Sequence, residues 1–525
     1  MIRRYVNPGG RKFQNSLNST IYVDKSNLII KTNELIDTED RYICISRPRR
    51  FGKTMAANML AAYYGRGHDT NALFEKLAIS KHPTYEEHLN KHDVIMVNMQ
   101  AFLNKTNSVE EMLQKLQSKI TKELQKVYPE IEFDDDSDFT DIMFETYAAS
   151  EKPFIILIDE WDCLFREYKD DVESQKKYTK FLGLWLKDQE YVGFAYMTGI
   201  LPIKKYGSHS ALNMFDELSM TTPYQFLDYY GFTDSEIEKL SNEYNMDFDE
   251  IKKWYNGYFV DRGQPIYNPR SVNSCLSKKE FDNYWTKTET YEALKDYIKL
   301  NLDGLRDKIV QMISGYDTKV NPNKFTNDMT TFNSADDVLT LLIHLGYLTY
   351  NFEKKTVRIP NEEVKREFIN SIEDLDGWKK IVDAIQKSQK LLQAIWNKEA
   401  DFVAESVQKV HEQNTSILKY NDENSLSCSL SLALYSAAEY YTIIRELPTG
   451  KGYADLVFIP RKKHQDKPAM VVELKWNEKA EGAIAQIKKK NYPSALEEYQ
   501  DSLLLVGINY DKKEKIYDCV IESIS

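Results

Sequence analysis

Three groups of residues have the types and the spacing for phosphate chemistry. The first is GKT (52–54), which closes the stretch SRPRRFGKT (46–54) as the pattern G-x-x-x-x-G-K-[ST] of a phosphate-binding loop would close. The second is the acidic pair DE (159–160). The third is D-x17-E-x-K (455–475), which contains two carboxylates and an ammonium group. Each group can act only if the surrounding elements position it.

The flanks of GKT predict a strand before the loop and a helix after it. RYICIS (41–46) is rich in β-formers, and TMAANMLAAYYG (54–65) has strong helix formers and a terminal glycine. This order points backbone N–H groups and the helix dipole at a phosphate. Lys53 would then reach the β- and γ-phosphates and Thr54 would bind Mg²⁺. Because Arg47 stands where the pattern has glycine, a chance GKT in a basic loop is the alternative.

The acidic pair follows an apolar run, FIILI (154–158), which predicts a strand buried on both faces of a parallel sheet. Asp159 at its end can hold Mg²⁺ through water, and Glu160 can orient the attacking water. A buried strand capped by surface acids is the alternative. A further strand, YVGFAYMTGI (191–200), ends near Thr198, which either senses the γ-phosphate or belongs to a plain turn.

The third group lies on a predicted hairpin, in which GKGYADLVFIP (450–460) and AMVVELKW (469–476) flank a polar turn. Asp455 and Glu473 are equally far from the turn centre, so they should face each other with Cβ atoms about 4.5–5.5 Å apart. Lys475 shares that face. Two carboxylates this close repel unless a cation lies between them, and Mg²⁺ or Mn²⁺ would fit. Such a metal activates water, which Lys475 can help to orient.

Several segments together carry a family resemblance, and they occur in this order: YVDKSNLI (22–29), RPRRFGKT (47–54), IDEWD (158–162), MTGI (197–200), YGFTDSEI (230–237), WYNGY (254–258), YNPRSV (267–272) and NYWTKT (283–288). The set resembles the AAA-ATPase-like family of P-loop proteins that is often fused to a PD-(D/E)XK nuclease. The resemblance implies that Arg47 is a family variant of the loop. It also implies that Mg²⁺ binds at Thr54 and Asp159 and that Glu160 is the base. The nucleotide-binding residues would be Arg49, Arg50, Phe51, Gly52, Lys53, Thr54, Asp159 and Thr198.

The C-terminal region resembles the nuclease domain of the same family. GYADLVF and VELKW are followed by AIAQIKKKNY (483–492), in which Gln486 would lie on a helix facing the metal. The resemblance implies catalysis by Asp455, Glu473 and Lys475, and it adds Glu423, at a helix start, to the metal ligands Asp455 and Glu473. Lys489 and Lys490 belong to a stretch (461–490) with nine Lys/Arg against four Asp/Glu. That surplus suits a phosphate backbone, although a solvated surface is the alternative.

The middle of the chain is expected to be helical, with a winged-helix-like unit. SADDVLTLLIHLGYLTYNFEKKTVRIPNEEVKREF (334–368) predicts helix, hairpin and helix, and a wing there could contact DNA or pack against the ATPase; packing is favoured. Residues 372–420 should form amphipathic helices. We therefore expect domains at 1–230, 231–370 and 371–525.

Composition bounds the function classes. The chain has 525 residues, 42% hydrophobic residues and a net charge of −12, so a nucleic-acid site must be a local patch. Its five cysteines form no CxxC pair, which indicates a reducing compartment without a thiol–zinc site. No secretion signal and no run of 18 apolar residues are present, so a cytoplasmic protein without a membrane partner is expected.

These observations lead to one expectation of fold and function. The fold is α/β: a P-loop NTPase with a parallel sheet, a helical middle and a C-terminal restriction-endonuclease-like domain. The function is ATP hydrolysis with Mg²⁺ and metal-dependent cleavage of nucleic acid, for which DNA is favoured and Mn²⁺ could also serve. Self-association is compatible with this reading. The alternatives are an ATP-switched protein that binds nucleic acid without cutting it, and an ATPase with a structural C-terminal domain.

Overall fold

The computed structural model describes most of the chain in twelve segments: residues 4–133, 137–203, 211–222, 226–259, 265–285, 292–325, 329–414, 423–449, 452–477, 479–489, 502–511 and 513–524, with residues 496 and 499. None of the five cysteines forms a disulfide. In these segments we find no helix that is long and apolar enough to span a bilayer.

The N-terminal region is a five-stranded sheet with helices. Its strands are β1 (Tyr42–Ser46), β2 (Asp93–Asn98), β3 (Phe154–Asp159), β4 (Val192–Gly199) and β5 (Asp216–Leu218). Its helices are α1 (Arg11–Leu17), α2 (Leu28–Asn33), α3 (Lys53–Tyr64), α4 (Asn71–Phe74), α5 (Tyr85–His88), α6 (Met99–Leu103), α7 (Val109–Val127), α8 (Phe139–Ser150), α9 (Cys163–Glu167) and α10 (Val172–Leu186). The strand order is β2-β3-β4-β1-β5 and all pairs are parallel. Every residue of β1, β3 and β4 is buried, so the three predicted strands are present and β3 is buried on both faces as expected.

The middle of the chain is mainly helical, as expected. Its elements are α11 (Asp234–Glu243), α12 (Phe248–Tyr255), β6 (Tyr258–Phe259), β7 (Pro265–Ile266), α13 (Pro269–Lys278), α14 (Glu292–Lys299), α15 (Leu305–Ile313), β8 (Thr318–Lys319), α16 (Ala335–Leu345), β9 (Thr349–Asn351), β10 (Thr356–Arg358) and α17 (Glu362–Glu373). The predicted order of helix, hairpin and helix is present in α16, the antiparallel pair β9–β10 and α17.

The C-terminal region is a second five-stranded sheet covered on both faces. It contains α18 (Lys379–Trp396), α19 (Ala400–Asn414), α20 (Glu423–Ala433), α21 (Ala437–Tyr440), β11 (Tyr441–Thr449), β12 (Gly452–Pro460), β13 (Ala469–Trp476), α22 (Ala480–Lys489), β14 (Leu503–Asp511) and β15 (Ile516–Ser523). The order is β11-β12-β13-β14-β15, with β13–β14 the parallel pair. Alternate strand residues pack against α18–α20 on one face and against α22 on the other, as the two-residue period of a strand requires.

The chain divides into two compact units, and the expected domain limits at residues 230 and 370 stay predictions. The first unit comprises Met1–Thr290 and Lys319–Val364, and the second comprises Tyr291–Thr318 and Lys365–Ser525. The middle region therefore contributes to both units. The helix–hairpin part belongs to the first unit, whereas α14 and α15 belong to the second.

A buried carboxylate joins distant segments of the first unit. Glu363, at the start of α17, accepts hydrogen bonds from the backbone N–H groups of Tyr284 (2.7 Å) and Trp285 (2.8 Å) and from Ser271 Oγ (2.8 Å). Its side chain is fully buried, and this burial raises the pKa of Glu363 to about 7, although the hydrogen bonds oppose the shift. The carboxylate thus fastens the chain around residue 363 to α13 and to the segment before residue 286.

We expect Glu363→Ala to destabilise the first unit by about 3 kcal/mol, because two buried N–H donors would lose their acceptor at roughly 1–3 kcal/mol each. Glu363→Gln retains an acceptor oxygen and should cost about 1 kcal/mol. Urea unfolding followed by tryptophan fluorescence would measure both values. Equal losses in the two variants would show that the hydrogen bonds are not what Glu363 contributes.

The stability that Glu363 contributes should also depend on pH. Because the pKa of Glu363 is higher in the folded state, that state binds more protons between the ordinary glutamate pKa and about 7. The free energy of unfolding contributed by this group should therefore fall as the pH rises through that interval. Glu363→Gln removes the effect, so its stability should depend less on pH than that of the wild type.

Candidate nucleotide and nuclease sites

The phosphate-binding loop connects β1 to α3 through two left-handed residues. Arg50 has φ +72° and Gly52, which precedes the first residue of α3, has φ +93°. A Cβ added to Gly52 would meet no atom within 4 Å, so the backbone conformation rather than lack of space favours glycine there. The two residues turn the chain into the helix, so that the first amides of α3 are available to an anion.

Lys53 lies inside the loop that precedes it. Its Nζ donates to the carbonyl oxygens of Arg47 (2.7 Å) and Pro48 (2.9 Å), and its side chain is buried. Burial lowers the pKa of Lys53, while the carboxylates of Glu160 and Asp162 oppose the shift. The ammonium group therefore donates hydrogen bonds to the loop carbonyls, and phosphate oxygens could accept these hydrogen bonds instead.

Asp159 is the centre of the site. Its Oδ2 accepts from Thr54 Oγ1 (3.0 Å) and from Asn98 Nδ2 (2.9 Å), and its Oδ1 accepts from Thr198 Oγ1 (2.6 Å). Asn98, Asp159 and Thr198 are paired neighbours at the carboxyl ends of β2, β3 and β4. The structure thus brings three of the predicted residues together. Asn98 was missed, although the end of the strand DVIMVN carried the same positional signal as Thr198.

Glu160 follows directly and adopts φ +56°. Its carboxylate accepts a hydrogen bond from Arg166 of α9, whose Nε lies 3.2 Å from Asp162 Oδ2. Asp162 is anchored in turn by the N–H groups of Ile200 (2.9 Å) and Leu201 (2.8 Å). Burial raises the pKa of Glu160, and the charges of Arg166 and Lys53 oppose that rise. No spacing in the sequence marked Arg166, since an irregular turn separates it from the strand.

The remaining loop residues differ in environment. Arg47 is 1% exposed, its guanidinium lies 3.6 Å from Met220 Sδ, and burial lowers its pKa to about 10. It therefore fills the protein interior beneath the loop. Phe51 is buried edge-to-face against Tyr258 at 5.1 Å. Arg49 is partly exposed and Arg50 is exposed, so these two cations remain nearest to solvent.

An apolar cavity adjoins the loop on the side of Phe51. Its lining combines the N-terminal segment, the start of α3 and the segment around residue 230, chiefly through Ile21, Tyr22, Val23, Phe51, Met55 and Phe232. Such a lining suits a flat, weakly polar ring. The sequence could not reveal this cavity, because its walls are about two hundred residues apart along the chain.

The second unit contains the predicted hairpin in the predicted register. Leu456, Val457 and Phe458 pair with Val472, Val471 and Met470, and continuing this register by one residue sets the backbone of Asp455 opposite Glu473. Glu423 begins α20, as expected. The side chains of Asp455, Glu423 and Lys489, and all of Lys490, lie outside the described residues, so their proposed roles stay predictions.

Glu473, Gln486 and Lys475 form a hydrogen-bonded chain. Gln486 Nε2 donates to Glu473 Oε1, and Lys475 Nζ donates to Gln486 Oε1. Glu473 is 2% exposed. Gln486 reaches the strand because α22 packs closely on β14 at Gly507, where an added Cβ would lie 2.6 Å from the carbonyl oxygen of Ala480. The amide therefore sets the orientation of both charged groups.

Both sites offer oxygen ligands, which suit a hard divalent cation. Thr54 and Asp159 offer a hydroxyl and a carboxylate oxygen, and Glu473 offers a carboxylate. The described side chains contain no group of three or more His, Cys, Asp and Glu arranged as metal ligands. The nucleotide site thus fits Mg²⁺, which typically keeps several waters and binds through one or two protein oxygens and substrate phosphates.

The chain is similar to several known proteins. An uncharacterised protein encoded in the vnfD 5′ region of Azotobacter chroococcum mcd 1 is 27% identical over 370 residues, which cover 66% of this chain and 64% of that relative. Two Aeropyrum pernix structures also match: ORC2 in ADPNP and ADP complexes (11% identity, TM-score 0.23) and ORC1 in complex with DNA (10% identity, TM-score 0.25). The ORC2 match covers 66% of this chain and 91% of the ORC2 chain. The ORC1 match covers 71% of this chain and 98% of the ORC1 chain.

Two family models match separate parts of the chain. Residues 11–208, which hold the loop, Asp159 and Thr198, match the model described as a predicted AAA-ATPase. Residues 422–519, which hold the hairpin and Gln486, match the PD-(D/E)XK nuclease superfamily. Both matches agree with the resemblance seen in the sequence motifs. Residues 11–208 are accordingly similar to predicted AAA-ATPases, and residues 422–519 are similar to the PD-(D/E)XK nuclease superfamily.

Proposed function

We propose that this protein binds and hydrolyses ATP and that its C-terminal domain cleaves nucleic-acid phosphodiesters, with DNA as the first substrate to test. The observation that carries the proposal is the Asp159 carboxylate, which joins Thr54 and Thr198 beside the buried Lys53. Supporting it, Gln486 links Glu473 to Lys475 in the nuclease-superfamily domain. ATP and nucleic acid are intracellular, which favours the cytoplasm.

In the proposed complex, the base of ATP occupies the apolar cavity beside Phe51, and the phosphates lie along the loop and the first turn of α3. Lys53 exchanges its loop carbonyls for phosphate oxygens, and Arg49 and Arg50 offer further charge. Thr54 and Asp159 would hold Mg²⁺, which neutralises phosphate charge. The charge of Arg166 favours the ionised form of Glu160, which would orient the attacking water.

In the nuclease domain, Glu473 and Asp455 would hold the metal with Glu423 as a further ligand, and this metal would activate a water molecule. Lys475 orients that water or offsets charge on the phosphate, while Gln486 positions Lys475 and Glu473. Lys489 and Lys490 would contact the nucleic-acid backbone. ATP binding is proposed to control access to this site, because both activities reside in one chain.

Lys53 and Glu160 should separate nucleotide binding from turnover. Lys53→Ala removes charge-assisted hydrogen bonds and should weaken binding of a fluorescent ATP analogue by roughly tenfold or more. Glu160→Gln should leave binding within about threefold but lower phosphate release by about 100-fold or more, because the general base is lost. Lys176→Ala, at an exposed site on α10, is the matched control. Full turnover in Glu160→Gln would refute the assigned base.

Arg166 should control the pH dependence of ATP turnover. Its charge opposes the effect of burial on the pKa of Glu160, so Arg166→Gln should raise that pKa further. Since Glu160 must be ionised, the acidic limb of the kcat–pH profile should move to higher pH, with activity recovering as the pH rises. A uniform loss of kcat at every pH would instead indicate a purely structural role.

The nuclease assignment is tested with plasmid, single-stranded DNA and RNA in Mg²⁺ or Mn²⁺, with and without ATP. Glu473→Gln and Lys475→Ala should each lower cleavage by about 100-fold or more, since each removes a group at the reacting phosphate. Lys409→Ala, at an exposed position of α19 outside the basic stretch, should retain activity.

Two other outcomes would change the proposal. Equal cleavage rates with and without ATP, also in Lys53→Ala, would remove the coupling between the two units. ATP hydrolysis without any metal-dependent cleavage would favour the alternative, a nucleotide-switched protein that binds nucleic acid without cutting it.

A further inference from the structure

A basic cleft opens beside the nucleotide site, on the side of Thr54 and Asp159. Its cationic lining comes from three separate parts of the first unit: Arg4 from the N-terminal segment, Lys12 from α1, and Lys105, Lys115 and Lys119 from α7 and the loop before it. Among the lining residues that the structure describes, Asp159 is the sole carboxylate, so five cations face one acid. This concentration contrasts with the net charge of −12 for the whole chain.

Specific contacts hold the N-terminal segment, which carries Arg4, in place. Glu123 of α7 accepts hydrogen bonds from three consecutive backbone N–H groups, those of Arg4 (3.1 Å), Tyr5 (2.8 Å) and Val6 (2.9 Å). Met96 of the edge strand β2 donates its N–H to Tyr5 O at 2.8 Å. These bonds fasten the N-terminal segment across α7 and β2. The cleft is therefore part of the folded unit, although Glu123 also adds a negative charge near its rim.

One lysine of α7 also makes a defined contact. Lys115 Nζ donates to the carbonyl oxygen of Lys105 at 2.9 Å, which ties the preceding loop to the helix. In the described part of the chain, no carboxylate lies within ion-pair distance of any of the five cations. Lys122 and Lys126 continue from Lys115 and Lys119 at helical spacing, so the basic face extends about 16 Å along α7.

An aromatic side chain lies at the same place. Tyr5, which is partly exposed, packs on Phe102 with ring centroids 5.2 Å apart, and the Arg4 guanidinium lies 5.6 Å from the Tyr5 ring centre. Sites for single-stranded nucleic acid combine a basic track for phosphates with an aromatic platform for bases. Isolated surface lysines would neither converge from three segments nor surround such a ring.

We propose that the basic cleft binds the phosphodiester backbone of a single nucleic-acid strand, with Tyr5 stacking on a base. This is a nucleic-acid contact on the nucleotide-binding unit itself. It needs neither cleavage nor the residues of the nuclease domain. Because Thr54 and Asp159 line the cleft as well, the bound strand would lie next to the Mg²⁺ end of the nucleotide.

The test measures binding of a fluorescein-labelled 20-mer of thymidylate by anisotropy, using the full chain with Glu473→Gln to suppress cleavage. Adding Lys105→Glu with Lys119→Glu should weaken binding more than tenfold, and it should lower the slope of log K against log salt by about 1.4, or 0.7 for each lost contact. The control pair, Lys176→Glu with Lys180→Glu, makes the same charge change at exposed positions of α10 and should alter Kd less than twofold. Tyr5→Ala should weaken binding at least fivefold.

Binding of the fluorescent ATP analogue is measured on every variant. Unchanged ATP binding together with weakened oligonucleotide binding supports the proposal. Equal oligonucleotide affinity in the two charge-reversal pairs would overturn it. Loss of ATP binding in the Lys105–Lys119 pair would also overturn it, because the cleft would then serve the nucleotide's own phosphates. The readout is binding rather than cleavage, so a protein without nuclease activity would give the same result.

Discussion

The first unit depends on how one buried carboxylate is satisfied. Asp159 is 1% exposed, and a charge so far from water requires hydrogen-bond donors. They come from Asn98, Thr54 and Thr198, and thus from the ends of the two strands that flank β3 and from the first turn of α3. Those hydrogen bonds align the carboxyl ends of the strands with the phosphate-binding loop. The site and the fold are consequently held by the same few contacts.

The second unit uses a similar arrangement. An amide side chain donates to the carboxylate proposed to bind metal in both cases: Asn98 to Asp159 and Gln486 to Glu473. A neutral donor orients a carboxylate without cancelling its charge, whereas a cation at that position would compete with a metal. In the second unit the same amide also accepts a hydrogen bond from Lys475, so one side chain contacts both the carboxylate and the ammonium group.

Positive charge is distributed locally in an otherwise acidic protein. Burial lowers the pKa of Lys53 and of Arg47, so both cations are held at an electrostatic cost that the surrounding loop must offset. Arg166 is committed to Glu160 and Asp162. The lysines of α7, in contrast, remain at the surface. The net charge of the chain therefore does not indicate where this protein can bind an anion.

The sequence alone determined the elements with strong local patterns. These were the buried strands β1, β3 and β4, the loop between β1 and α3, and the register of β12 with β13, because alternation and turn position are local properties. Tertiary structure alone decided the roles of Asn98 and Arg166, the burial of Arg47, the apolar cavity and the division of the middle region. These depend on the strand order β2-β3-β4-β1-β5 and on close packing, which bring together residues that are distant in the chain and that no local pattern relates.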